Sequence, residues 1–307
     1  MAMQEVVTGG LLGSIPSTED DEILYHYCST STFQQIVSNG SIRLSALTLS
    51  NDSLEGKLVS AVIERLAVSD GMDPKSIDAL LDSVEALEEL FDGLGLCLSE
   101  DGDLLSQWRG YADDANGFSI GFSKKYLNWL GSSFIFQDKA GFQSFKVLYA
   151  DHEHDRELRP SFEEMKLHVN AGGLKPSVNK LTSILLGSKS GEDPVVQKAA
   201  ALELKKTVLS LYSKLFLLKS AAFKEEREVR LLGYLFHDHG SEKIGYRATR
   251  NAIVSYREFA LIEKERMPIT HVILGPKQRT PVRDVEHFLK ISGFGNVKVG
   301  ISKASYR

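Results

Sequence analysis

Hydrophobic positions recur along this chain with two different periods. Ile23–Cys28, Ser41–Ser45, Gly93–Ser99, Gly117–Phe122, Phe145–Tyr149, residues 222–236 after their charged start, the stretch around Val254 to Ile262, Ile269–Pro276 and Val297–Val299 are short runs. They alternate in character or are rich in apolar and aromatic residues, as strands are. Between them the spacing lengthens to that of helices: Phe33, Ile36 and Val37, then Lys57–Leu66, Ser76–Leu90, Ser161–Val169, Ser177–Leu186, Val195–Leu218, and Val282, Val285, Phe288 and Leu289. Ser31 with Gln34 three residues on reads as a capping box, and Gly40 as the stop of the first helix. The pattern predicts an α+β fold. Residues 1–21, broken by glycines, Pro16 and an acidic run, read as a flexible leader. Residues 22–307 read as a single α+β domain, with a helical insertion at about 152–220 that is poor in chemistry-bearing residues and suits a scaffold or a partner surface.

Composition narrows this picture. The 307 residues are 42% hydrophobic, 25% charged and 9% aromatic, enough to bury a large core without staples. Two cysteines, Cys28 and Cys97, exclude a disulfide framework and a Cys-rich metal site, and fit a cytoplasmic protein. The net charge of -5 gives nucleic acid no bulk attraction. The N-terminus lacks the pattern of a secretory signal, and no apolar run approaches a membrane span. Walker, Rossmann, zincin and hydrolase-elbow motifs are absent. His152 and His154, and His237 and His239, form two close pairs that read as solvated loops.

Candidate chemistry concentrates in Ala222–Tyr234. If extended, this stretch puts Glu226, Glu228 and Arg230 on one face and Arg227, Val229 and Leu231 on the other. A half-buried carboxylate beside a cation suits a catalytic or sugar-binding group, and equally an internal ion pair that anchors a strand. A second dense block is Ser106-Gln107-Trp108-Arg109-Gly110-Tyr111, in which Trp108 reads as core, and Gln107 or Arg109 as functional. His26 lies between Tyr25 and Tyr27 on the first strand, where it is either a core histidine or a ligand for a hydroxyl group.

These motifs carry a resemblance. The Tyr25-His26-Tyr27 start, the Ser106–Tyr111 block, Gly117–Phe122, Glu226-x-Glu228-x-Arg230, the Leu274-Gly275-Pro276 element and the Ser302–Arg307 tail look like those of a bacterial family catalogued as a domain of unknown function, over most of the chain. More distantly, Tyr25–Tyr27, the strand Gly40–Ser45 and Glu226-x-Glu228 resemble the ADP-ribosyltransferase superfamily. That second resemblance implies mixed, mainly antiparallel sheets around a cleft, with NAD as substrate and no metal. It implies Glu228 as the catalytic carboxylate and Glu226 as its helper, with His26 on the adenosine ribose. Tyr27, Ser45, Ser99, Gln107, Arg109, Tyr111 and Arg230 are the further cofactor-binding candidates, with Tyr111 or Trp108 stacking on nicotinamide and Arg109, Arg230 or Arg247 on the pyrophosphate. The implied activity is cleavage of NAD with transfer of ADP-ribose to a macromolecule or to water, in a toxin or antiviral defence protein. Two other classes stay open: a non-catalytic nucleotide- or nucleic-acid-binding module, and a nuclease using Glu226, Glu228 and Asp113 or Asp114 with a divalent metal.

Overall fold

The computed structural model describes residues 21–49, 57–87, 91–135, 141–174, 194–236, 244–249, 251–261 and 267–306. The expected leader and the Ser177–Leu186 helix lie outside these, apart from Asp21, as do His237 and His239. In chain order the elements are β1 Ile23–Cys28, α1 Thr30–Asn39, β2 Ser41–Ala46, α2 Leu58–Ser69, α3 Pro74–Glu85, β3 Phe91–Ser99, α4 Leu105–Tyr111, β4 Phe118–Ser123 and α5 Lys124–Ile135. They continue with β5 Gln143–Lys146, α6 Asp151–Asn170, α7 Pro194–Ser210, β6 Glu228–Phe236, β7 Gly245–Ala248, β8 Ile253–Ala260, β9 Ile269–Leu274, α8 Val282–Ile291 and β10 Lys298–Ile301. The mixed α+β reading holds. No helix among the described residues is long and apolar enough to cross a membrane.

Local chemistry explains several boundaries. Ser29, not Ser31, caps α1: its hydroxyl accepts the Thr32 N–H at 3.2 Å. Gly40 then ends the helix at φ 58°, a left-handed turn that glycine adopts without steric cost. Asp73 caps α3 with Pro74 in the first turn, where a missing N–H loses nothing. The charged run 152–160 is helix rather than loop, because the Glu153 carboxylate reaches back to the Ala150 N–H at 3.0 Å and starts α6 early.

The described chain divides into two compact units. Unit one comprises residues up to Gly40, Glu100–Ser133 and Leu261 onward. Its strands run in the order β10-β9-β4-β1, antiparallel except for β10 against β9. One face carries Leu24, Phe118, Ile120, Phe122 and Val272 and is covered by α1 and α8, with Phe33 stacked on Phe118 at 4.1 Å and edge-on to Phe288 at 6.0 Å. The other face carries Tyr25, Tyr27 and Ile273 around Trp108 of α4. Unit two comprises Ser41–Ser99 and Phe134–Ala260. Its strands run β5-β6-β3-β2-β8-β7, every neighbour antiparallel. Helices α2, α3, α6 and α7 and the segment 211–218 pack a continuous apolar core against it. Phe216 lies so close to the sheet that a Cβ on Gly93 would sit 2.3 Å from its ring.

A buried charge cluster as the candidate functional site

The strand β6 opens the site. Residues Ala221–Glu226 form a short 3-10 turn that ends at Arg227, a non-glycine residue at φ 44°, and β6 starts at the next residue. This left-handed step points the Arg227 side chain to solvent and leaves Glu226 and Glu228 both facing inward. The expected common face of Glu226, Glu228 and Arg230 is therefore present, although the first of the three precedes the strand. The opposite face is buried as well, through Val229 and Leu231.

Four ionisable side chains meet there: Glu226, Glu228, Arg230 and Lys219 are 8%, 5%, 1% and 5% exposed. Arg230 grips Glu228 with two bonds, Nε to Oε1 at 2.6 Å and Nη2 to Oε2 at 3.0 Å, and its Nη1 donates to the Phe216 carbonyl at 2.9 Å. Lys219 bridges the two glutamates, 2.6 Å to Glu226 Oε2 and 3.0 Å to Glu228 Oε2. The Tyr149 hydroxyl accepts the Glu228 N–H at 2.9 Å, and the Ser99 hydroxyl donates to the Glu226 carbonyl at 2.8 Å. Burial alone would push the Glu228 carboxyl up. The Arg230 guanidinium, the Lys219 ammonium and the Cys97 thiol outweigh it and hold the group at about 2. Burial beside this anion pushes the Tyr149 phenol up to about 12, even though the Glu228 N–H favours its ionised form.

Lys219 and Tyr149 are the site residues that motif reading missed. A parallel bridge between Leu148 and Leu218 puts them side by side: Leu148 N–H bonds Leu217 O at 2.8 Å, and Lys219 N–H bonds Leu148 O at 2.9 Å. One signal was present, since Lys219 ends the apolar run Leu215–Leu218, where a buried ammonium demands a counter-charge.

The other candidates divide between the units. Ser99, Ser45, Glu226, Glu228 and Arg230 lie in unit two, with Ser45 opposite Gly95 on β3 and Tyr256 on β8. His26, Tyr27, Gln107, Arg109 and Tyr111 lie in unit one. His26 is half-buried, opposite Ile120 of β4. Tyr27 is fully engaged: its hydroxyl donates to Asp101 O at 2.9 Å and accepts the Leu104 N–H at 2.8 Å. Trp108 is core as expected, with no exposed surface, edge-on to Tyr27 at 4.9 Å and bonded through Nε1 to Asp103 at 2.7 Å. Gln107 is buried beside it, while Arg109 and Tyr111 reach the surface on the remaining turns of α4.

Residues 107–231 match the model of the family described as "Protein of unknown function (DUF2971)". The matched segment runs from Gln107 through the Glu226–Arg230 strand and takes in every member of the charge cluster. It covers less than half of the chain and stops short of the Tyr25–Tyr27 start, the Leu274–Pro276 element and the tail, so the family resemblance is narrower than the motifs suggest. No curated protein and no solved structure matches the chain.

His154 is not in a solvated loop but on α6, 3% exposed, with Nε2 bonded to the Leu148 carbonyl at 2.8 Å. Asp114, a candidate metal ligand, is bound by Lys277 at 2.9 Å and by the Tyr306 hydroxyl at 2.7 Å. Among the described residues no group of three His, Cys, Asp or Glu is disposed to hold a metal ion. On α7, Val195, Leu202 and Leu209 are exposed at seven-residue spacing, along one stripe of that helix.

Proposed function

We propose that the protein is an NAD-cleaving enzyme of the ADP-ribosyltransferase type, with the Glu226–Glu228 pair as its catalytic element. One observation supports this reading above the others: the chain maintains two buried carboxylates beside two buried cations across a left-handed arginine. Desolvating four charges is expensive, and buried ion pairs of this kind are often no more stabilising than apolar residues of the same volume. A non-glycine residue held at positive φ adds roughly 1–3 kcal/mol of strain. An arrangement that stability does not require is well suited to pre-organised electrostatics.

Cleavage of the nicotinamide–ribose bond leaves nicotinamide with the bonding electron pair and puts positive charge on the ribose. An acceptor oxygen then attacks the ribose carbon and gives up its proton. Within the cluster, whose charges sum to zero, the Glu226 carboxylate is the negative group turned toward that charge in this reading. Glu228, gripped by Arg230 and Lys219 on both oxygens, acts in this reading as a positioning anion, and Glu226, bonded to Lys219 through Oε2, is the carboxylate that meets the ribose or the acceptor. Ser45, in the same unit as the cluster, keeps its proposed role toward a ribose hydroxyl.

The full occupancy of both Glu228 oxygens favours a second reading, a nucleotide-binding module in which the cluster only braces β6. Nicotinamide release from NAD by wild type, Glu226→Gln and Glu228→Gln separates the two. The enzyme reading expects release by wild type and a loss of at least 100-fold in Glu226→Gln, in the range typical of a removed electrostatic group. Binding of NAD without release in all three proteins supports the module. Neither binding nor release removes NAD from both.

A further inference from the structure

Unit one contains a second costly feature, unrelated to the charge cluster. Asp113, Asp114 and Ala115 follow one another at φ 51°, 49° and 70°. A left-handed step costs roughly 1–2 kcal/mol for a residue with a Cβ, less for aspartate than for alanine. Ala115 is fully buried, and its carbonyl accepts the Lys277 N–H at 3.0 Å, so the turn is pinned against the segment after β9. Strain of this kind gathers at ligand clamps.

Around this turn three charged side chains surround one aromatic ring. Lys277 Nζ stands 3.9 Å from the centre of the Tyr306 ring and the Arg109 guanidinium 5.7 Å from it. Asp114 accepts the Tyr306 hydroxyl through Oδ1 at 2.7 Å and Lys277 through Oδ2 at 2.9 Å. The ring arrives on an irregular segment after β10, held upstream by Asp103, which accepts the Ser302 hydroxyl and, at 2.7 Å, the Lys303 N–H. Two cations directed at one electron-rich ring, with a carboxylate at the ring's donor edge, make a recognition pattern rather than a packing solution. Apolar side chains would hold a tyrosine without bringing like charges together.

We propose that this set of side chains binds a nucleobase, with its ring against Lys277 and Arg109 and a ring N–H or amino group donating to Asp114, and that Tyr306 occupies the place as an intramolecular competitor. Guanine fits best, having adjacent N–H and amino donors on one edge. The site lies wholly in unit one, and the inference does not depend on NAD cleavage.

Calorimetric titration of the full chain with GMP, and with ribose 5-phosphate to report attraction to charge alone, tests it. Removing a competitor frees the site for ligand, so Tyr306→Ala should bind GMP about tenfold more tightly than wild type. Adding Asp114→Asn should reverse at least that gain, and ribose 5-phosphate should stay weak throughout. Equal GMP affinity in wild type and Tyr306→Ala overturns the proposal, as does ribose 5-phosphate binding as tightly as GMP. If Tyr306→Ala does not fold, Tyr306→Phe keeps the ring but releases Asp114. It should bind GMP a few-fold more tightly, and unchanged affinity there likewise overturns the proposal.

Discussion

Arg230 donates to both oxygens of Glu228 from two positions along on the same strand, at 2.6 and 3.0 Å. Residues so spaced share a strand face, but their side chains ordinarily stand parallel rather than joined. Here the guanidinium turns back along β6 because the Phe216 carbonyl takes its third N–H. Truncating Arg230 therefore takes two donors from a buried carboxylate, leaving it Lys219, and one from the buried Phe216 carbonyl. Arg230→Ala is expected to destabilise the protein by about 3–5 kcal/mol, measured by urea unfolding. Replacing Glu228 by Gln as well should recover part of that loss.

The depressed Glu228 carboxyl makes stability depend on acid. Its folded value of about 2 lies below the usual 4.5, so its contribution is complete above about pH 4.5. Between 4.5 and 2 the unfolded chain takes up a proton that the folded chain refuses, and stability falls as the pH drops. Thermal melts of wild type should show this decline, amounting to about 3 kcal/mol. The decline should be shallower in Glu228→Gln.

Tyr149 serves Glu228 through the backbone. Tyr149→Phe removes the acceptor of a buried N–H and should cost about 1–3 kcal/mol in urea unfolding. If the proposed enzyme reading holds, nicotinamide release should fall as well, because the start of β6 is no longer fixed.

Gly117 has no room for a side chain. A Cβ there would lie 2.0 Å from the Cys28 carbonyl oxygen and 2.9 Å from that of Ala112. Both obstacles are backbone, so neither can swing away. Gly117→Ala should destabilise the protein by at least about 2 kcal/mol, read from the unfolding midpoint.

Much of the sheet was legible because its strands alternate or are apolar throughout, as in β1, β2, β3, β4 and β9. Two helices were not. In α4 the block Leu105–Tyr111 mixes a buried Gln107 and Trp108 with an exposed Arg109 over barely two turns, too short for a helical period to stand out. In α5 the pattern follows β4 with no break, Lys124 coming directly after Ser123. At the cluster, Glu226, Glu228 and Arg230 could be grouped because they are neighbours in sequence. Lys219 and Tyr149 join through the Leu148–Leu218 bridge, a pairing that no local period encodes. Asp114 and Tyr306 are 192 positions apart and meet for the same kind of reason.

The charge cluster pairs two carboxylates with two cations, so its monopole vanishes. Seen from a few Debye lengths away, it is silent. An anionic ligand diffusing toward this molecule meets the repulsion of the overall -5 charge and feels the cluster only on contact. Encounter should therefore quicken, rather than slow, as ionic strength rises, the reverse of an electrostatically steered enzyme. The cluster can set how firmly a ligand is held, but not how often it arrives.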